Sequence, residues 1–361
     1  MARMMNSKLD IGVLDQSPIR CDGTAAEALH ESVRLAKLAE ELGYTRYWVA
    51  EHHNAQALAC TSPEILLGQI AARTSTIRVG SGGVMLSNYS ALKVAEQFRV
   101  LDALHPGRVE LGIGRAAGTN PATAKALAHP RPVNDADRFP EMVSDLLRLL
   151  HGESCEKGAL AGIRSQPGPC PSKVPEVWLL GATDFSGELA ARLGLPFAFA
   201  DFFGNTPVSG PEVARSYRQR FQPSSYHSTP RIRVALQVLC APSEAEARFL
   251  ASSRNLNTAR RFIELGDGLR SPDEAVRYPL PDKARKYVDQ VASTFIDGDP
   301  RQVRDRIIEV ADRYQTCEIL VVTNCYDFEH RRRSYELVAE ACGLRASPGP
   351  NAGVTSTAGT P

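Results

Sequence analysis

The chain has 361 residues, with 42 Lys and Arg against 41 Asp and Glu, for a formal net charge of +1. Ordinary apolar and charged fractions describe a globular protein of one large domain or two small ones, and the balanced charge gives no support for nucleic acid as a partner. No run of about eighteen apolar residues is present and the start, MARMMNSKLD, lacks the apolar core of a signal peptide, so a cytoplasmic protein without a membrane partner is expected.

Taken in chain order, a first strand is predicted over residues 11–14, followed by a helix whose Leu29, Val33, Leu35, Ala36, Leu38, Ala39 and Leu42 share a broad apolar face. Gly43 stops that helix. A second strand over 47–50 runs directly into Glu51-His52-His53. Because successive side chains of an extended chain point to opposite faces, the two imidazoles cannot easily serve one point, and they are expected to have different jobs. A helix over 63–73 leads to a third strand over 77–86, which contains Gly82-Gly83. Glycines inside a strand mark either tight packing or the close approach of something flat to the backbone.

After a helix over 91–104, the fourth strand, 109–113, leads into LGIGRAAG. The glycine spacing there is wrong for a dinucleotide loop, and an arginine, Arg115, interrupts it. A helix over 137–150 precedes the fifth strand, 177–180, which becomes LLGATDFSGELA. There Thr183 is placed to cap a helix over 184–193, and the free N–H groups of its first turn, with the Ser186 hydroxyl, form a site for a phosphate. Plain capping is the competing reading. Arg115, at a neighbouring strand end, is placed to supply the counter-charge, although alone it is equally a salt-bridge arginine.

A sixth strand over 197–200, a helix over 211–221, a seventh strand over 232–239 and a helix over 244–265 follow. Extra sequence at 271–300 then separates the seventh strand's unit from a helix over 301–314, the eighth strand, 319–322, and a closing helix over 329–342. Eight strand-then-helix units imply a parallel sheet, and a (β/α)8 TIM barrel with an insertion between strands 7 and 8 accounts for the length better than an open doubly wound sheet. One domain is expected over 9–343, between a flexible 1–8 and a small, polar, disordered tail over 344–361. The eight cysteines, Cys21, Cys60, Cys155, Cys170, Cys240, Cys317, Cys325 and Cys342, form no C-x-x-C pair and read as reduced thiols. The basic cluster Arg331-Arg332-Arg333 reads as a solvated helix face.

The segments DQSP, LAEELGYTRYWVAEHHN, SPEILLGQIAARTSTIRVGSGGVML, LKVAEQFRVLDALHPGRVELGIGRAAGT and LGLPFAFADFF, in that order over about Leu9 to Gly343, resemble the bacterial luciferase-like flavin monooxygenases, and more narrowly their single-subunit, alkanal monooxygenase-like branch. The resemblance implies a (β/α)8 barrel, reduced FMN as co-substrate delivered by a separate flavin reductase, molecular oxygen, a small organic substrate and a homodimer. It makes His52 the catalytic histidine, puts a non-prolyl cis peptide at Gly82-Gly83 beneath the flavin, makes Arg115 the phosphate arginine, and matches Ala182, Thr183, Asp184, Phe185 and Ser186 to the phosphate loop. Glu51 is expected to support the flavin or orient the chain, and no metal is implied. Two departures stand out: relatives often carry histidine near Asn88, and AQALACTSP replaces a loop richer in Gly and Ser. A deazaflavin-dependent hydride transferase and a non-catalytic flavin-binding protein are the competing functions.

Overall fold

The computed structural model describes residues 8–129, 136–153, 160–168, 174–203 and 208–346. Among them nine strands form: β1 (Asp10–Asp15), β2 (Arg46–Val49), β3 (Arg78–Met85), β4 (Val109–Gly114), β5 (Glu176–Gly181), β6 (Phe197–Ala200), β7 (Ile232–Cys240), β8 (Ile296–Gly298) and β9 (Glu318–Val322). Eight of these are parallel and close in the order β1-β2-β3-β4-β5-β6-β7-β9, with β9 returning to pair β1 from Asp10↔Glu318 to Val13↔Val321. The expected (β/α)8 barrel is the fold. β8 pairs only with β7 and lies outside the circuit.

Twelve α-helices surround the sheet among the described residues: α1 (Ala25–Leu42), α2 (Pro63–Ala71), α3 (Ala91–Leu104), α4 (Pro121–Ala128), α5 (Phe139–His151), α6 (Asp184–Leu193), α7 (Gly210–Arg220), α8 (Glu244–Thr258), α9 (Pro272–Arg277), α10 (Asp282–Ala292), α11 (Pro300–Tyr314) and α12 (Phe328–Ala341). α1 opens on a reciprocal Thr24/Glu27 capping box and ends at Gly43, whose φ of 87° is the left-handed cap foreseen from the sequence. None of the described helices is long and apolar enough to cross a membrane.

The insertion holds α9, α10 and β8. Three expectations need correction. The helix expected over 244–265 ends at Thr258 in a 3-10 turn, and the chain beyond it bends through the positive-φ glycines Gly266 and Gly268. α4 was not foreseen, although Asn120 caps it by accepting from the Thr123 N–H and Pro121 begins it. Arg331 does not belong to a solvated face: it is 1% exposed and pairs with the buried Asp15, while Arg332 and Arg333 pair along the helix with Glu336. The N-terminal 1–7, the tail from 347, Cys155 and Cys170 lie outside the described residues; Leu344 bonds back to Ala339.

Aliphatic and aromatic side chains between sheet and helices form the main core, while the barrel interior holds its own stack. At the N-terminal end that stack is ionic. Glu110, fully buried, takes Arg78 Nε at 2.9 Å, Arg233 Nη1 at 3.3 Å and the Trp48 indole N–H at 2.5 Å, with Arg46 Nε at 3.6 Å. Arg233 also reaches Glu318 at 2.9 Å and packs against the face of Trp178, 3.8 Å from its centroid. Trp48 fits because β3 presents Gly80, where an added Cβ would stand 2.6 Å from the indole nitrogen. Burial opposes ionisation of Glu110, but Arg233, Arg46 and Arg78 outweigh it and hold the carboxyl at about 2.

Removing one partner from such a set strands the others. Glu110→Gln should therefore cost about 3–5 kcal/mol of unfolding free energy in urea titrations. A loss under about 1 kcal/mol would show that the arginines are satisfied without it.

Candidate active site at the barrel mouth

Above the ionic floor the inward side chains shrink. Gly82, Gly114, Ala50, Ala198 and Ala235 leave a cavity of about 300 Å³ at the C-terminal strand ends, over Leu14, Trp48 and Leu320. That volume lies at the lower end of the range for small-molecule sites, and strand C-termini are where barrels of this kind carry chemistry. A larger groove of about 740 Å³ lies outside the barrel between α1 and α2, lined by residues such as His30, Arg34, Ile65 and Arg73. It is away from the strand ends and holds none of the expected site residues.

Four loops bring the expected residues together. After β5, Ala182, Thr183 and Ser186 line one end of the cavity, and Arg115 after β4 joins them. Thr183 occupies the N-cap position of α6 but makes no side-chain cap bond, so the capping expected of it is absent. The first turn approaches the strand so closely that a Cβ on Gly181 would collide with the Ser186 side chain. Among the described residues Arg115 makes no ion pair; its guanidinium lies over the Phe185 ring, 4.1 Å from the centroid. A helix N-terminus, two hydroxyls and a guanidinium without an ion-pair partner among the described residues are a donor set that could hold an anion. Asp184 and Phe185 do not line the cavity: Asp184 accepts from the Phe185 N–H at 2.9 Å, and Phe185 acts through Arg115.

On β3 the Gly82-Gly83 peptide is cis and lines the cavity wall. The tight-packing reading of these glycines holds. A Cβ on Gly82 would stand 2.5 Å from Leu14 Cδ1, and one on Gly83 would stand 2.7 Å from the Gly112 carbonyl oxygen, so the pair packs tightly and also presents bare backbone to the cavity.

The chain just past β2 keeps the strand's alternation and separates the two histidines. His52 turns into the cavity; its Nδ1 is buried and has no hydrogen-bond partner among the described residues. Burial, helped by neighbouring His53, pushes its pKa down to about 4, so the ring is neutral at pH 7. Glu51 points the other way. Its Oε1 accepts from the Tyr89 hydroxyl at 2.8 Å and lies 2.7 Å from His53 Nε2, and its Oε2 accepts the Met85 N–H at 3.0 Å. Burial raises the Glu51 pKa against these donors. Glu51 is thus outside the cavity lining and ties the end of β2 to the end of β3. His53 extends the tie, since its carbonyl accepts from Thr119 Oγ1 at 2.7 Å, beyond β4.

Sequence reasoning did not single out Tyr89, Gln16, Phe202 or Phe203. Gln16 lay in DQSP and the phenylalanines in ADFF, both quoted segments; their inward or mouth position is the signal that was available. Asn88 turns away from the cavity lining, donating to the Ala117 carbonyl at 3.1 Å.

Comparison with known proteins agrees with this fold. The luciferase-like monooxygenase family model matches residues 9–316. The chain is 42% identical over 337 residues to YwcH of Bacillus subtilis (strain 168), covering 92% of this chain and 99% of that one. It is 36% identical over 346 residues to the luciferase-like monooxygenase of Escherichia coli (strain K12), covering 93% and 98%. The crystal structure of apo-MsnO8 superposes with a TM-score of 0.84 at 38% identity, covering 93% of this chain and 99% of that chain.

The His52 environment has a measurable consequence. Between pH 6.5 and about 4 the unfolded chain binds a proton on His52 that the folded chain refuses, so stability is full above pH 6.5 and falls as pH drops through that window. Wild type should lose up to about 3 kcal/mol more than His52→Gln between pH 7.5 and 4. Parallel stability curves for the two proteins would show that His52 titrates normally.

Proposed function

This chain belongs to the luciferase-like monooxygenase family, and from that membership we propose that it uses reduced FMN, delivered by a separate reductase, and molecular oxygen to oxidise an apolar or aromatic small molecule. Family membership makes it an oxidoreductase of the monooxygenase type. The observation that carries the finer reading is the pairing, in one cavity, of an anion site at Arg115, Thr183 and Ser186 with a bare Gly82-Gly83 backbone wall and a neutral, unpartnered imidazole at His52.

These residues fit FMN. When bound in its reduced form, it supplies the two electrons with which one oxygen atom enters the product and the other leaves as water. Arg115, the α6 N–H groups and the hydroxyls of Thr183 and Ser186 hold the phosphate, an arrangement suited to a mononucleotide. Gly82-Gly83 offers a flat ring close approach without side-chain interference. His52 holds or passes a proton at Nδ1, which its neutrality permits at physiological pH. Glu51, His53 and Tyr89 orient that strand end. Leu14, Trp48, Phe202 and Phe203 exclude water and receive the apolar body of the substrate.

A separate reductase follows from the absence, in GIGRAAG, of the spacing that would hold a nicotinamide dinucleotide. We further infer a homodimer, supported by the exposed Ile65 on α2 and Val100 and Leu104 on α3, and a cytoplasmic location, supported by the six free cysteines among the described residues.

Arg115→Ala should weaken FMN binding about ten- to a hundredfold, because a charge-assisted bond is lost; unchanged affinity in titration calorimetry would remove Arg115 from the phosphate site. His52→Ala should lower product formation in single turnover with reduced FMN by about 10² while FMN affinity stays near wild type. Wild-type yield from that variant, or rapid NADH oxidation by the pure protein with FMN, would each contradict the mechanism as drawn.

A further inference from the structure

Met85 lines the cavity, yet the reading above uses only its backbone N–H, which Glu51 accepts. Its side chain belongs to the barrel interior. The preceding residue, Val84, packs in the main core between sheet and helices, so alternation along β3 turns Met85 inward. Its register partner on β4 is Gly114, and a Cβ on Gly114 would meet the Met85 thioether, 3.4 Å from the sulfur and 3.6 Å from the methyl. Gly118 leaves a second notch, since a Cβ there would stand 2.9 Å from Met85 Cγ and 3.4 Å from the sulfur. Two glycines thus make room for one flexible thioether, half-buried beside the Gly82-Gly83 wall and against the start of the loop that carries Arg115.

No other sulfur among the described residues lines the cavity. Met142, the second methionine among them, sits on α5 and packs in the main core. Cys60 and Cys240 are buried, and burial pushes their pKa values up to about 12, which keeps them as thiols and not as reactive thiolates. Met85 is therefore the sulfur open to whatever reacts in the cavity.

We propose that Met85 takes up an oxygen atom when reduced FMN and oxygen meet in the cavity with no substrate present, and that its sulfoxide then closes the site to the flavin. Reduced FMN and the sulfur each give two electrons to dioxygen. One oxygen atom bonds to the sulfur, the other leaves as water with the two hydrogens of the reduced flavin, and FMN is left oxidised. The sulfoxide puts a polar oxygen on an apolar wall, beside the bare backbone that a flat ring approaches, so FMN binds less well. The inference rests on reduced FMN being the co-substrate in this cavity.

The test supplies the full chain with reduced FMN under isotopically labelled dioxygen, with catalase present and no organic substrate, and reads methionine oxidation by peptide mass spectrometry. Met85 should carry the label about tenfold or more above Met142, and the FMN affinity of the oxidised protein, read from flavin fluorescence, should fall about tenfold. Treatment with methionine sulfoxide reductases should restore it. Met85→Leu taken through the same exposure should keep the FMN affinity it started with. Absence of label on Met85, equal labelling of Met85 and Met142, or an equal loss of affinity in Met85→Leu would each overturn the proposal. The first two are read on wild type, so they decide even if the variant fails to fold. FMN affinity before exposure separates the two readings: binding without labelled Met85 sinks the self-oxidation alone, and no binding at all sinks the flavin reading together with this inference.

Discussion

Everything at the mouth depends on the buried carboxylate of Glu110. A charge with no access to water persists only inside a set of opposite charges and donors, and Glu110 has Arg233, Arg78, Arg46 and the Trp48 indole. That set fills the N-terminal half of the barrel with the largest side chains in the interior. Arg233 lies against Trp178 and within 4.7 Å of the Trp48 ring centroid, so the ionic layer and the aromatic layer above it are one packed block. The inward positions then change to glycine, alanine and leucine, and the block cannot extend to fill them. The cavity is the consequence: it opens where interior volume runs out, which is at the C-terminal strand ends.

A second constraint fixes what surrounds that cavity. Three neighbouring strand ends must hold His52, the Gly82-Gly83 peptide and Arg115 in register. Glu51 links the first two by accepting the Met85 N–H just past the glycines, and Tyr89 and His53 complete its shell. The His53 N–H toward the Gly118 carbonyl at 3.4 Å and the Thr119 hydroxyl on the His53 carbonyl bring in the loop that begins at Arg115. A displacement of one strand end is therefore passed to its neighbours through short polar contacts, which suits a site needing side chains held to fractions of an ångström.

The barrel circuit was legible because each unit's apolar run and helical period are local patterns, and the opposite facing of His52 and His53 follows from strand geometry alone. The turn from β5 into α6 was legible for the same reason, since a strand end, a cap position and a helix start are contiguous. The apolar runs, however, cut the strands short. Arg46, Glu176 and Glu318 read as strand flanks, whereas they are strand residues of the charged set, and Arg231 beside β7 bridges Glu176 and Glu318. Their pairing joins positions far apart in sequence, which no local pattern announces. Arg331 was misread for that reason, because its partner Asp15 lies at the other end of the chain. Glu51 was expected either to support the flavin or to orient the chain, and its bonds with Tyr89 and Met85 favour the second.

The contrast between Glu51 and His52 explains how a neutral imidazole survives beside a carboxylate. Had both side chains faced the cavity, Glu51 would stabilise the protonated ring and raise the His52 pKa, and the site would hold a cation in an ion pair. The alternation of β2, continued by the extended chain just past it, prevents this by sending the carboxylate to the opposite face, where three donors occupy it. What remains around His52 is burial and a second imidazole, and both act to keep the proton off. A ring left neutral, with an empty Nδ1 in an apolar cavity, can take a proton from a reacting group or lend one without first breaking a salt bridge. The local sequence Glu-His-His thus works through the two-residue period that the chain keeps just past β2: one position builds the support, and the next is kept free of it.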